Sequence, residues 1–137
     1  MKTYMPLWSA PYHGLSATLA SVRVATTCSV DTAAAIAAAV QDLVSRFHER
    51  NEIGRERVKL VLFTATSDLR SAKPAAAARA AGWNDAQFLC LAEMPTSDDL
   101  PRCIRALVYV ECTQYTSPLK PVYLNGAQSL RPDLVDD

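Results

Sequence analysis

Five stretches of the chain are apolar, rich in β-branched residues and as long as typical strands, so each predicts a β-strand. They span residues 17–28, 58–66, 88–92, 103–112 and 122–124. Because successive side chains of a strand point to opposite faces, alternate residues from Ile104 to Val110 share one apolar face. Arg105 points away from that face, where a guanidinium is unusual unless it is paired or lines a cavity.

Two helices are predicted between the strands. Apolar residues recur at helical spacing over 36–47, and Asp31 is a suitable N-cap, so the first helix should run to about Arg50. A second, short helix should begin at Pro74 and stop at Gly82. Strands and helices in this order predict one α/β domain, in which a mixed sheet of five strands is covered by helices.

The domain should occupy residues 16–137 and follow an N-terminal arm of residues 1–15. The arm carries aromatic residues between two prolines and has neither a helical nor a strand period. Packing of these aromatics on the domain or on a neighbouring subunit is one interpretation, and a loosely ordered tail is the other.

Composition argues against several classes of partner. The chain has 14 Lys and Arg against 14 Asp and Glu, so no excess of positive charge favours nucleic acid or an anionic membrane. No apolar run approaches the ~18 residues that span a bilayer. The four cysteines and two histidines show no zinc-binding spacing. We therefore expect a cytoplasmic protein with reduced thiols and neither a metal nor a cofactor.

Arg23 is a second arginine inside an apolar strand. Guanidinium groups match carboxylates through a rigid two-pronged fork, so converging arginines favour a small dicarboxylate ligand. A structural ion pair is the alternative, with Glu93 as a candidate partner for Arg105. The sequence shows no Ser-His-Asp arrangement and no glycine-rich phosphate loop, so it gives little support to hydrolytic or redox chemistry.

Eight motifs follow one another along most of the chain. They are VRVATT at Arg23, TATSDL from Thr64, the segment Pro74–Arg79, GW at Gly82, the pair Cys90 and Glu93, CIR at Arg105, VYL at Tyr123 and LRPDL from Leu130. In this order and spacing the chain resembles the monofunctional chorismate mutases of the trimeric, pseudo-α/β-barrel (Bacillus) type. The resemblance implies a homotrimer with active sites between subunits, chorismate as the substrate and a place in aromatic amino acid biosynthesis.

The resemblance also implies the Claisen rearrangement of chorismate to prephenate, which needs no acid, base, nucleophile or cofactor. It gives Arg105 to the ether oxygen of the substrate, where negative charge develops in the transition state. It assigns Cys90 and Glu93 to the ring hydroxyl and to the ordering of Arg105.

The resemblance implies five further substrate-binding residues. The resemblance gives Arg23 and Tyr123 to a substrate carboxylate. It places Arg79, Arg131 and Leu130 with the residues that bind substrate at the mouth of the site. Simpler roles stay open: Cys90 as a packing residue, Tyr123 as a cap on the core, and both mouth arginines as solvated charges.

Three positions depart from the family pattern. Val24 replaces a glycine and crowds a place where backbone could approach closely, Lys73 replaces an aromatic residue, and Ala76 replaces a lysine. Our hypothesis is that Lys73 binds substrate by supplying, from one turn earlier, the cation missing at Ala76. Two other functions stay open here: a non-catalytic trimeric binding module for a small dicarboxylate, and an enzyme for a related substrate such as isochorismate. His48, on the first helix, is expected at the surface.

Overall fold

A five-stranded sheet and two helices dominate the part of the chain that the computed structural model describes, residues 17–134. The strands are β1 (Ala17–Thr27), β2 (Val58–Ala65), β3 (Gln87–Ala92), β4 (Cys103–Thr113) and β5 (Val122–Tyr123). The helices are α1 (Ala33–Asn51) and α2 (Pro74–Ala80), and 3-10 turns span Arg55–Arg57, Asn125–Leu130 and Pro132–Leu134. All five strands agree with their predicted bounds to within a residue. The predicted arm, residues 1–15, lies outside the described residues.

The strand order is β3-β2-β4-β1-β5. The central strand β4 runs antiparallel to β2 and β1, whereas the edge strands β3 and β5 run parallel to their neighbours. These directions confirm the predicted mixed sheet. The register sets Arg105 of β4 between Ala25 of β1 and Thr64 of β2, so its side chain projects from the middle of the sheet.

The two faces of the sheet differ in the elements that pack on them. One face carries both helices and holds the hydrophobic core, whose large buried side chains are Val24, Val61, Phe63, Ile104, Val108, Phe47 and Trp83. The alternation predicted for β4 is confirmed, since Ile104, Val108 and Val110 are fully buried. Neither α1 nor α2 packs on the other face. Leu89 and Leu91 of the edge strand β3 are 58% and 47% exposed there.

Helix α1 has a different N-cap from the one predicted. Thr32 Oγ1 accepts the Ala35 N–H at 3.0 Å, so Thr32 caps the helix. Asp31 instead accepts the backbone N–H groups of Arg70 and Ser71, each at 3.0 Å. The prediction was wrong because both residue types are good caps, and the sequence does not reveal the distant loop that binds the Asp31 carboxylate. The consequence is that Asp31 anchors the loop leading into α2.

Both ends of α2 are confirmed. Pro74 is its first residue, where the missing N–H costs no hydrogen bond. Gly82 follows the helix with φ of +114°, in the region of backbone conformation that favours glycine.

The surface position expected for His48 is wrong. Its side chain is buried, and its ring packs edge-to-face against Phe47 and Trp83 with centroid separations of 5.2 and 6.1 Å. The error arose because the turn at Gly82 places Trp83 against α1. The Trp83 ring covers His48, which the apolar pattern of the helix alone did not mark as buried.

Candidate active site

A cavity of about 380 Å³ opens on the uncovered face of the sheet. Arg23, Arg105 and Tyr123 supply its main polar groups, with Thr64 beside them. Its apolar lining comes from Val24, Leu62, Leu91, Ala106 and Leu107. A few converging polar groups on an apolar wall are typical of a small-molecule site. The fold therefore brings three of the predicted residues together from strands β1, β4 and β5.

Arg105 is held by Glu93 through two parallel hydrogen bonds. Its Nε donates to Glu93 Oε1 at 2.7 Å, and its Nη2 donates to Oε2 at 2.5 Å. A guanidinium has five N–H groups, so this pair leaves three for a ligand. Nη1 has no hydrogen-bond partner among residues 17–134, which leaves the outer edge of the guanidinium available.

The Glu93 carboxylate is the more enclosed partner of the pair, with its side chain 14% exposed against 51% for Arg105. Glu93 directly follows β3, and its backbone N–H donates to Ala65 O at 3.0 Å. The hydrogen bonds from Arg105 lower the pKa of Glu93, and burial opposes them only in part. Glu93 is therefore ionised at neutral pH, and it in turn raises the pKa of Arg105. The structural ion pair considered from the sequence exists, and its exposed guanidinium edge remains free to act.

The C-terminal segment brings two more predicted residues to the same face. Leu130 lines an adjoining cavity of about 270 Å³ together with Arg105 and Glu93. Arg131 lies close enough to Tyr123 to interact electrostatically, and it pairs with Asp133 through two bonds of 3.1 and 3.0 Å. Leu130 therefore adjoins the cavity that holds Arg105, whereas Arg131 lines neither cavity and lies near Tyr123.

Three predicted residues lie apart from these cavities. Cys90 pairs with Phe63 in the β2–β3 register, so it projects to the opposite side of the sheet from Thr64 and Leu91. Arg79 of α2 sits over the Phe88 ring at 5.2 Å, and Lys73 is exposed at the N-terminus of α2. None of the three lines either cavity. Within one chain, then, Cys90 does not join Glu93 and Arg105.

Thr64 is a site residue that was not singled out from the sequence. Its Oγ1 donates to Glu93 Oε1 at 2.7 Å. Side chains alternate along β2, so Thr64 points away from the face that buries Phe63 and towards the uncovered face. Only the strand register shows that Thr64 neighbours Arg105. Val24, which replaces a glycine of the family pattern, is 1% exposed and belongs to the hydrophobic core, and it also borders the cavity.

Comparison with known proteins identifies the family. Residues 19–134 match the family model for chorismate mutase type I. The chain belongs to the chorismate mutase type I family. The chain is 40% identical to the chorismate mutase AroH of Thermus thermophilus over 114 residues, which cover 82% of this chain and 93% of that protein. It is 34% identical to AroH of Bacillus subtilis over 114 residues, covering 82% and 90%.

A solved chorismate mutase from Clostridium thermocellum supports the same assignment. The two structures superpose with a TM-score of 0.73 at 36% sequence identity, covering 80% of this chain and 97% of that one. The similarity confirms the fold expected for a type I chorismate mutase. It gives no support to the binding-module or isochorismate alternatives.

Neither a metal-binding cluster nor a membrane-spanning helix occurs among the described residues. Across residues 17–134, His, Cys, Asp and Glu side chains form no group of three or more that could hold a metal ion. In the same range, no helix combines the length and apolarity needed to cross a membrane.

Proposed function

We propose that this protein converts chorismate to prephenate by a Claisen rearrangement. The observation that carries the proposal is the Arg105 guanidinium, fixed by Glu93 with its outer edge free beside a cavity that also holds Arg23 and Tyr123. Family membership supplies the reaction class, since all three similar proteins named above are chorismate mutases.

Arg105 acts on the transition state more than on the substrate. As the carbon–oxygen ether bond breaks ahead of carbon–carbon bond formation, negative charge grows on the ether oxygen. A cation already held at that point stabilises the transition state without reorganising, which is the condition for catalysis. Removing one such donor typically costs about 2.7–4 kcal/mol of transition-state stabilisation, or about 10²–10³ in kcat.

The remaining groups hold the substrate in its reactive shape. Arg23 and Tyr123 bind a carboxylate from the β1–β5 side of the cavity, and Arg131 and Leu130 bound its mouth. Restricting the enolpyruvyl side chain to the conformer in which the two reacting carbons meet removes much of the entropic barrier. No proton transfer or covalent intermediate is required, so the site needs no nucleophile.

The complete site forms between subunits of a homotrimer. This proposal explains why Lys73, Arg79 and Cys90 lie away from the cavity of their own chain. The edge strand β3, whose Leu89 and Leu91 are exposed, is the surface that presents these residues to a neighbouring subunit. Burial of that apolar surface would stabilise the assembly. The enzyme would act in the cytoplasm, in aromatic amino acid biosynthesis.

Two assays test these proposals. Purified full-length protein should remove the ultraviolet absorbance of chorismate and form an equal amount of prephenate, and isochorismate serves as the comparison substrate. Absence of prephenate would refute the function.

Mixed oligomers test the shared site. Arg105→Ala damages one half-site, and Cys90→Trp blocks the other at an exposed position. Each variant alone should be nearly inactive. Co-refolding the two in equal amounts should restore about a quarter of wild-type activity, since that fraction of interfaces pairs two intact halves. No recovery, with a trimer confirmed by light scattering, would refute a site shared between subunits.

A further inference from the structure

We propose that Thr64 is a positioning residue, whose hydroxyl fixes Glu93 so that the free edge of Arg105 is aimed into the cavity. This inference rests on the proposed function. Thr64 lines the cavity beside Arg105, and its hydroxyl hydrogen-bonds to Glu93, so it acts on Arg105 through that carboxylate.

The strand register makes the contact. Thr64 lies opposite Arg105 across the β2–β4 pairing and opposite Leu91 across the β2–β3 pairing. Glu93 follows β3 two residues after Leu91, so its carboxylate can reach back over β2. There Oε1 accepts from both Thr64 Oγ1 and Arg105 Nε, each at 2.7 Å, and Oε2 accepts from Arg105 Nη2.

The third hydrogen bond changes what the ion pair can do. Glu93 and Arg105 both have long side chains, and a bidentate pair between them can swing as one unit without breaking. The Arg105 side chain is 51% exposed, so water competes for it and the pair alone orders it weakly. Thr64 has a single side-chain torsion, restricted by β-branching, in a strand hydrogen-bonded on both sides. Its hydroxyl therefore ties the pair to the rigid centre of the sheet.

One other carboxylate acts on the pair. Asp99, in the loop after β3, interacts electrostatically with Glu93 and Arg105, and its own oxygens accept hydrogen bonds from Thr96. Asp99 makes no hydrogen bond to Arg105 within the described residues, so it does not replace Thr64 as an anchor.

The test uses Thr64→Val, which keeps the shape and removes the hydroxyl, and Thr64→Ser, which keeps the hydroxyl. Thr113→Val is the matched control: it removes a threonine hydroxyl that accepts the Tyr115 N–H at the far end of β4. We expect Thr64→Val to lower kcat about tenfold with a smaller change in KM, because a correctly oriented Arg105 stabilises the transition state more than it stabilises the bound substrate. Thr64→Ser should recover most of the rate, and Thr113→Val should match the wild type.

A second readout does not depend on turnover. The carboxyl carbon of Glu93 can be followed by NMR through a pH titration of the full-length protein. Loss of a hydrogen bond to the ionised form should move the midpoint of Glu93 to higher pH in Thr64→Val and leave it in place in Thr113→Val.

The two readouts separate the possible failures. If the wild type forms prephenate but Thr64→Val is equally fast, the positioning role is overturned while the proposed function stands. If the wild type forms no prephenate, the proposed function fails. The titration then decides the inference alone: an unshifted Glu93 midpoint overturns it and a raised midpoint supports it.

Discussion

The buried His48–Trp83 contact predicts that this protein loses stability as pH falls from 8 to 5. Trp83 Nε1 donates to His48 Nε2 at 2.8 Å, and His48 Nδ1 lies 2.8 Å from Ile53 O. An indole nitrogen can only donate and a carbonyl oxygen can only accept. These partners therefore fix a neutral imidazole with its proton on Nδ1. A second proton would set two donors against each other at Nε2.

The direction of the effect follows from the pKa of His48. Burial is the largest influence and lowers this pKa below the ordinary 6.5, with Arg55 adding to the fall. The Ile53 carbonyl and Glu56 oppose it. The unfolded chain thus takes up a proton more readily than the folded chain below about pH 6.5, so the free energy of unfolding decreases as pH falls. Each unit by which the pKa is depressed removes about 1.4 kcal/mol once both states are fully titrated.

Chemical denaturation at pH 8, 7, 6 and 5 measures this loss at one fixed protein concentration. His48→Gln cannot titrate, so its unfolding free energy should be flatter over this range. It should also be lower at pH 8 by about 1–3 kcal/mol, because Trp83 loses a well-placed acceptor. An equal pH slope in wild type and His48→Gln would refute the reasoning.

Three further predictions concern the site. Glu93→Gln should lower kcat about tenfold or more but change stability little, because half-exposed ion pairs contribute about 0–1 kcal/mol; wild-type kcat would contradict it. Lys73→Ala should raise the KM for chorismate if Lys73 replaces the cation missing at Ala76, and an unchanged KM would refute that role. Val24→Gly should lower the free energy of unfolding by about 3 kcal/mol in denaturation experiments while KM stays unchanged; a lower KM would show that Val24 crowds the site.

Local pattern was sufficient for most of the secondary structure. The alternation around Arg105 predicted both the strand and the face from which the guanidinium projects, because burial on one side of a sheet enforces a period of two. Pro74 and Gly82 marked the ends of α2 through backbone constraints that act within a few residues. Such features depend only on nearby sequence.

Contacts between distant segments could not be predicted in this way. Asp31 binds a loop some forty residues later instead of capping α1. His48 is buried because Trp83 folds over it. Thr64 joins the site only through the pairing of β2 with β4. Each case requires knowledge of which surfaces meet, and residue type alone does not provide it.

The residues of the candidate site also fall into two groups: those that local sequence marked and those that it did not. Apolar strand context drew attention to Arg23 and Arg105, and the fold places both in one cavity. Family resemblance was needed to include Cys90 and Arg79, which belong to a different surface of the chain. Their separation is what a site shared between subunits would produce.

The most direct test of the role proposed for Arg105 is the kcat of Arg105→Ala on chorismate, measured beside Arg46→Ala as an arginine control in an exposed ion pair on α1. Circular dichroism and light scattering should show that both variants keep the wild-type fold and assembly. The kcat of Arg105→Ala should fall by about 10²-fold or more, while that of Arg46→Ala should stay near the wild-type value. A folded Arg105→Ala variant with full activity would contradict the central role given to this cation.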